Sequence, residues 1–268
     1  MSFSRTLIKA ASSAADVVLA DPGVTVLIYH RVGGGSTSEV DHPVELLDAQ
    51  LGWLSEHRRV ISLDDAVAEL TAPPADPSPA VVVTFDDGTA DFAEHAVPLL
   101  VRHQVPATLY LGTGFTDEGR TWPGDAPAVS WSALAEAIST GFVTVGSHTH
   151  DHLLLDRVDV ATVEHQLDRS IELIGEHLGV RADHFAYPKA VPGNAASDRA
   201  VRDRFASAAL AGTRSNVWGE TDVFRLARSP VQVSDGMRWF RRTVDGGLRV
   251  EDELRHRLTH LRYRNRRT

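Results

Sequence analysis

The sequence contains no cysteine. Disulfide scaffolds, thiolate metal sites and cysteine nucleophiles are therefore excluded, and a bound metal must use nitrogen and oxygen ligands. No stretch approaches the ~20 apolar residues of a membrane-spanning helix, so we expect no membrane span. The segment after Arg5 and Lys9 contains Ser12, Ser13 and Asp16 and is too polar for a secretory signal. We therefore expect a cytoplasmic protein, with an extracellular or cell-surface location as the alternative.

A positive surface of the kind that binds nucleic acid is also lacking, because the 268 residues carry a net charge of -9. We therefore expect no nucleic-acid partner. Positive charge is concentrated only at the C-terminus, where residues 255–268 include six arginines and no acidic residue. This pattern favours a solvated helix end, whose dipole attracts arginine, over contact with phosphates or a membrane surface.

Short apolar runs alternate with helical patterns along the whole chain. The candidate strands are Val24–His30, Ala80–Phe85, Ala107–Thr113, Phe142–Ser147, His184–Tyr187, Ala206–Ala211 and Phe224–Val233. Apolar strands separated by helices indicate a parallel sheet that is covered on both faces. Seven such units predict an α/β fold, a single-domain distorted (β/α)7-type barrel with a mostly parallel sheet.

Three helices have clear limits in the sequence. Apolar residues recur at helical spacing over Val160–Leu178, and Gly179 is placed to end that helix. A second helix is predicted over Ser132–Thr140. A third begins after Ser62, a good N-cap residue. The Pro-rich residues 71–79 predict an extended surface loop within one domain.

An acidic pair follows the second predicted strand. Asp86 and Asp87 stand directly after the apolar run Val81–Phe85, and Gly88 comes next. Asp-Gly is also a common turn dipeptide, so the pair taken alone is as consistent with a turn as with a functional site. The carboxyl ends of barrel strands are where catalytic residues gather.

Three histidines alternate after the fourth predicted strand. If the segment coils, His148 and His152 lie one turn apart on one face, and if it stays extended, His150 projects with them. Surface histidines in a loop are the structural alternative. Together with the acidic pair, two imidazoles at this spacing are typical of a hydrolytic metal site in which a second carboxylate remains free as a base. His30, after the first strand, is expected on the same rim.

Three segments resemble the polysaccharide deacetylase family, also called the NodB-homology family or carbohydrate esterase family 4. They are residues 84–88 (TFDDG), 147–152 (SHTHDH) and 185–188 (FAYP). Residues 29–32 (YHRV) are similar to the branch that contains the poly-N-acetylglucosamine deacetylases.

We predict a single catalytic domain over residues 1–268. The NodB-homology core would occupy residues 80–268. The strand and helices of residues 1–79 would contribute to the same barrel.

The resemblance implies a role for each residue of the motifs. Asp86 would be the catalytic base, and Asp87, His148 and His152 would bind one divalent metal ion. The metal of the family is usually zinc, sometimes cobalt or nickel. In the poly-N-acetylglucosamine branch the early histidine is the general acid, which implies this role for His30.

Tyr187 of the third motif and Lys189, directly after it, are predicted to bind substrate. The ring of Tyr187 is a candidate for stacking on a sugar, as are Trp122 and Trp218. Trp131 also lies near the predicted rim, but packing in the core is favoured for it because it falls inside a helix. Lys189 stands where a backbone N–H of the family helps to hold the oxyanion.

The chain departs from the family pattern at three places. Many relatives carry Arg-Pro-Pro-Tyr-Gly where this chain has residues 186–190 (AYPKA), so the arginine that orients the base is missing and a cation such as Arg228 would have to replace it. The glycine of that loop is also missing. The late histidine of other relatives is absent from residues 225–228, which leaves His30 as the acid, with His256 and His260 as weaker rivals.

The function implied by the resemblance is metal-dependent hydrolysis of N-acetyl groups on an acetylated amino-sugar glycan or precursor. One alternative is a metal-dependent amidase that acts on a small non-sugar amide. Another is a catalytically silent carbohydrate-binding relative, although binding alone requires no unligated carboxylate.

Overall fold

The computed structural model describes residues 22–246. The basic C-terminal segment, the rival histidines 256 and 260, and the N-terminal residues before 22 lie outside this range. Eleven strands occur in the described part of the chain: β1 (Val24–Tyr29), β2 (Arg31–Val32), β3 (Asp41–His42), β4 (Ala80–Asp87), β5 (Ala107–Leu111), β6 (Thr121–Trp122), β7 (Ala126–Pro127), β8 (Val143–Ser147), β9 (His184–Ala186), β10 (Ser207–Ala209) and β11 (Arg228–Pro230).

Eight α-helices connect or flank these strands within residues 22–246. They are α1 (Val44–His57), α2 (Leu63–Thr71), α3 (Val97–His103), α4 (Thr113–Glu118), α5 (Trp131–Ser139), α6 (Val160–Leu178), α7 (Ala195–Arg202) and α8 (Gly236–Val244). A π-helical turn, Phe92–Ala96, leads into α3. None of the helices in this part of the chain is long and apolar enough to span a membrane.

Seven strands form one sheet in the order β10-β9-β8-β5-β4-β1-β11, and every pairing in it is parallel. Its two edge strands approach each other, because Leu226, just before β11, donates to Ala208 in β10 and accepts from Leu210. The sheet is therefore a nearly closed barrel, which confirms the predicted (β/α)7-type fold. β1 pairs with both β4 and β11, so a strand from the first 79 residues is an integral part of the barrel.

Alternate residues of the strands belong to two separate buried clusters, as the period of two in a strand requires. One cluster joins residues of β1, β4, β5, β9 and β10 to one face of α2. The other joins the opposite faces of those strands to α1, α3, α5 and α6. The first cluster is the barrel interior, with α2 closing one end, and the second is the layer between the barrel and its outer helices.

The predicted helices agree closely with the structure. α6 has the predicted limits, and Gly179 ends it in the left-handed conformation with a φ of 67°. Ser62 caps α2 by accepting a hydrogen bond from the Asp65 N–H. The last predicted strand, Phe224–Val233, is wrong in extent, because short 3-10 turns precede and follow the three residues of β11.

Asn216 fastens the loop before β11 to the start of β1. Its side-chain amide donates to the carbonyls of Val24 and Ala227, and its Oδ1 accepts from the Ala227 N–H at 2.8 Å. The side chain is buried. Because a buried backbone group without a partner is costly, this one residue stabilises the closure of the barrel.

We predict that Asn216→Ala lowers the free energy of unfolding by about 2–4 kcal/mol, because both backbone groups of Ala227 lose their partner. Asn194→Ala is the matched control. Asn194 caps α7 at an exposed position, and its loss should cost about 1 kcal/mol. Urea unfolding of the two variants measures the difference, and equal losses would contradict the closing role of Asn216.

Candidate active site

The register of the parallel strands brings the acidic pair and the histidines to one rim. Asp87 at the end of β4 is level with Leu111 of β5, which is level with Ser147 of β8. His148 follows Ser147, and its N–H donates to the Leu111 carbonyl at 2.9 Å. Residues that are far apart in sequence therefore leave neighbouring strands at the same height.

Asp87, His148 and His152 come together at this rim. The Nε2 atoms of the two histidines lie 3.7 Å and 3.6 Å from Oδ1 of Asp87, and the three ligand atoms lie within 4.8 Å of one another. Ligand atoms ~2.1 Å from a tetrahedral metal ion stand roughly 3.4 Å apart. The three side chains thus fit a divalent metal ion that prefers nitrogen and oxygen ligands.

Both histidines present the ring form that a metal ion requires. Nδ1 of His148 lies 2.8 Å from the Ala186 carbonyl, so Nδ1 donates and Nε2 is left as the acceptor. Burial, assisted by the neighbouring imidazole of His148, lowers the pKa of His152 to about 3. His152 is therefore neutral at physiological pH, which is the state that binds metal.

Asp86 makes a different contact from its neighbour in sequence. Arg228 binds its two carboxylate oxygens with separate nitrogens at 2.6 Å and 2.9 Å, and both side chains are buried. Burial alone would raise the pKa of Asp86, but Arg228 and the neighbouring His148 lower it to about 2. The contact anticipated for Arg228, as replacement for the missing arginine, is present.

The backbone separates the directions of the two carboxylates. Asp87 has a φ of 75° and Gly88 a φ of 93°, so the chain turns sharply as the strand ends. A Cβ atom at position 88 would collide with the Leu111 side chain. Glycine is needed there both for its positive φ and for the close approach of β5.

His30 leaves the sheet beside Asp86, because Tyr29 and Phe85 are paired in β1 and β4. Burial raises the pKa of Asp87, and His30 is the strongest of the neighbouring charges that oppose this rise. Nδ1 of His30 is buried and has no hydrogen-bond partner among residues 22–246. The structure thus brings His30 to the same rim as the acidic pair.

The histidine segment is neither helical nor extended. Thr149 and His152 both have positive φ angles, of 65° and 57°. As a result His150 is turned away from His148 and His152, and its Nδ1 lies 3.0 Å from the Thr113 hydroxyl. The prediction favoured the outer pair of histidines, and these are the two that meet Asp87.

One of the four candidate aromatic residues contacts a residue of the triad. The Trp122 ring meets the His152 ring edge-on at 5.3 Å between centroids and stacks on Phe115. Trp131 stacks on His177 instead. Trp218 packs against the cluster in the barrel interior that includes α2.

The stacking role predicted for Tyr187 is wrong. The side chain is fully buried, and its ring packs edge-on against Phe185. Its hydroxyl donates to Asp198 of α7 at 3.0 Å. No face of the ring is available to a sugar, because the motif turns inward after β9 and uses the ring as core.

Lys189 is exposed, and its charge acts on His152. Lys189 and Ala190 have φ angles of 53° and 54°, which residues other than glycine adopt at a cost. The loop therefore keeps a left-handed path although the family's glycine is missing. The predicted use of the Lys189 amide for substrate stays a prediction.

Comparison with known proteins agrees with this geometry. The family model for polysaccharide deacetylase matches residues 74–205, which span the acidic pair, the histidine segment and the third motif. Residues 74–205, just under half of the chain, therefore match the polysaccharide deacetylase family.

Relatives and solved structures of this family support the same branch. A poly-beta-1,6-N-acetyl-D-glucosamine N-deacetylase of Staphylococcus aureus is 26% identical over 149 residues, which are 53% of this chain and 51% of that protein. The chain spans about half the length of the curated relatives it matches.

IcaB of Ammonifex degensii has a TM-score of 0.75 at 25% identity, covering 85% of this chain and 99% of that one. The Streptococcus pyogenes deacetylase PplD, solved in complex with acetate, has a TM-score of 0.73 at 20% identity, covering 84% and 99%. At that identity PplD shows likeness of fold.

We predict that His148→Ala lowers zinc affinity by at least ~100-fold, more than the 10–100-fold typical of an outer-shell partner. His150→Ala is the control from the same segment, because its ring faces Thr113 rather than Asp87. Titration against a competing chelator measures both. Comparable losses in the two variants would exclude the assigned ligand set.

Proposed function

We propose that this polysaccharide deacetylase removes N-acetyl groups from an acetylated amino-sugar glycan, with a divalent metal ion held by Asp87, His148 and His152. The observation that carries the proposal is that the two carboxylates of the acidic pair have different partners. Asp87 faces two imidazoles, while Asp86 is held by Arg228. The branch likeness to a poly-beta-1,6-N-acetyl-D-glucosamine N-deacetylase supports the substrate class.

Hydrolysis of an acetamide poses three chemical problems. Water is a poor nucleophile, the tetrahedral intermediate carries a negative oxygen, and an amine anion is a poor leaving group. A bound divalent cation supplies Lewis acidity, which lowers the pKa of water and stabilises negative charge on oxygen. The remaining requirements fall on the side chains of this protein.

Asp86 is the proposed base. Its low pKa keeps the carboxylate ionised at all physiological pH values. A carboxylate has about four acceptor sites, and the two contacts with Arg228 leave capacity for a proton from water. Because Arg228 fixes the plane of the carboxylate, the free acceptor sites have a defined direction.

His30 is the proposed acid. It leaves β1 beside Asp86, and its charge acts on both carboxylates of the pair. A protonated imidazole at this position can deliver a proton to the departing amine. Across the site, the backbone N–H of Lys189 is the proposed donor to the developing oxyanion, and the left-handed path of residues 189 and 190 would aim it.

A small-amide hydrolase would need the same metal ligands and base, so the geometry of the triad does not separate the two substrates. The relatives favour the glycan, since the matched proteins are named for polysaccharide or poly-N-acetylglucosamine deacetylation. A silent carbohydrate-binding protein would have no use for a buried carboxylate held ionised beside a metal site.

We predict that Asp86→Asn lowers kcat for acetate release from acetylated glucosamine oligomers by at least ~100-fold, the usual scale for loss of a general base. Zinc affinity should change little, because Asp86 is not among the three ligands. Zinc content and thermal unfolding serve as controls. Full activity of this variant on every acetylated substrate would refute the base assignment, and turnover of small amides alone would refute the glycan.

We predict that His30→Ala separates amides from activated esters. Amide hydrolysis should fall by about 100-fold because the amine needs a proton to leave, whereas a nitrophenolate departs unassisted. Initial rates on acetylated glucosamine oligomers and on 4-nitrophenyl acetate test this. Equal losses on the two substrates would remove His30 from the acid role.

A further inference from the structure

Hydrogen bonds hold the segment that carries both proposed histidine ligands at several points. The Gly114 N–H, near the start of α4, donates to the His150 carbonyl at 2.8 Å. The Thr149 N–H donates to the Ser147 hydroxyl at 3.2 Å. These contacts hold the first part of the segment, and Asp151 is the residue that directly precedes the ligand His152.

Asp151 makes three hydrogen bonds with two residues. Its N–H donates to Oε1 of Gln166 at 2.7 Å, and its Oδ2 accepts from Nε2 of the same glutamine at 2.7 Å. Its Oδ1 accepts from Nη2 of Arg120 at 2.6 Å. Gln166 therefore makes two hydrogen bonds with Asp151, and together they fix both the backbone and the side chain of Asp151.

The position of Gln166 makes this contact specific. It lies on the buried face of α6 between Val163 and Leu167, and only 3% of it is exposed. A side-chain amide offers one acceptor and one donor, which match the N–H and the carboxylate of Asp151. A leucine there would offer neither, and a glutamate would offer no donor.

We propose that Gln166 is a positioning residue for the metal site. By holding Asp151 it sets the path by which the chain enters His152, whose left-handed backbone and partly exposed ring need an external constraint. His148 is oriented separately by the Ala186 carbonyl. The inference rests on the metal triad of the proposed function and adds the residue that pre-organises its third ligand.

A second metal site is the competing explanation for this cluster, because Glu118, His150 and Asp151 lie close enough together to hold an ion. Several of its candidate ligand atoms are already engaged, however. Both carboxylate oxygens of Asp151 accept hydrogen bonds from Arg120 and Gln166, and Nδ1 of His150 faces Thr113. The guanidinium of Arg120 also repels a cation at this position.

The test exchanges the amide and the carboxylate between positions 166 and 151 and measures the zinc affinity and the zinc dissociation rate of each variant. Gln166→Leu and Gln166→Glu should each weaken zinc binding by about 10-fold or more and speed its release. Asp151→Asn should do the same, since its amide must then turn a donor towards either the Gln166 amide or the Arg120 guanidinium. The double variant Gln166→Glu/Asp151→Asn restores a donor opposite an acceptor, and its affinity should return to within about 3-fold of the wild type.

Asp159→Ala is the matched control for a weakened α6. It removes the N-cap of that helix without touching the histidine segment, so it should lower Tm by about 2–4 °C and leave zinc affinity unchanged. Single variants with wild-type affinity, a folded double variant without rescue, or an equal loss in Asp159→Ala would each overturn the positioning role alone. A wild-type protein that binds no divalent metal would overturn the proposed function as well.

Discussion

The bidentate pair between Arg228 and Asp86 is the interaction on which the site depends. Removing two charges from water costs several kcal/mol for each ion, and an isolated carboxylate at this depth would become protonated. The pair persists because the guanidinium also donates to the Thr84 hydroxyl and to the Leu210 carbonyl, so its donors are used inside the barrel. With Asp86 committed to an arginine, its neighbour Asp87 is the carboxylate that faces the imidazoles. Two identical side chains, adjacent in sequence, thus acquire different chemistry.

That pair exists only when the barrel is nearly closed. Arg228 is 142 positions from Asp86 in sequence and belongs to β11, which the sheet accommodates beside β1. The contacts of Leu226 with β10 and the hydrogen bonds of Asn216 hold the strand in this place. In an open sheet the acidic pair would be a turn with two solvated carboxylates. The arginine-bound carboxylate that we propose as the base is therefore a product of the long-range topology, while the three residues proposed as metal ligands follow from the register of three neighbouring strands.

The sequence was informative where burial and local chemistry coincide. Seven apolar runs correspond to the seven barrel strands, and Asp87 and His148 lie within two residues of the ends of two of those runs. It was misleading where a residue type does not determine the direction of its side chain: Tyr187 suggested a rim aromatic but packs in the core. Arg228 could be named only as a possible replacement, because β11 is short and its pairing is non-local. Gln166 carries a usable signal, since it and Ser170 are the two polar residues on the buried stripe of α6.

The rim is built from conformations that the chain adopts at a cost. Asp87, Thr149, His152 and Lys189 all have positive φ without being glycine, and each such residue is strained by about 1–3 kcal/mol. Such angles persist only where neighbouring contacts fix them, and these contacts come from the elements behind the rim. The Asp87 carbonyl accepts a hydrogen bond from the N–H of Gly112, directly after β5. Gln166 of α6 accepts one from the Asp151 N–H, just before His152. The site therefore depends on these particular contacts rather than on the overall stability of the scaffold. A change that removes the contact of α6 or β5 with the rim releases the strained residues first, so the geometry of the proposed metal ligands should be lost before the barrel unfolds.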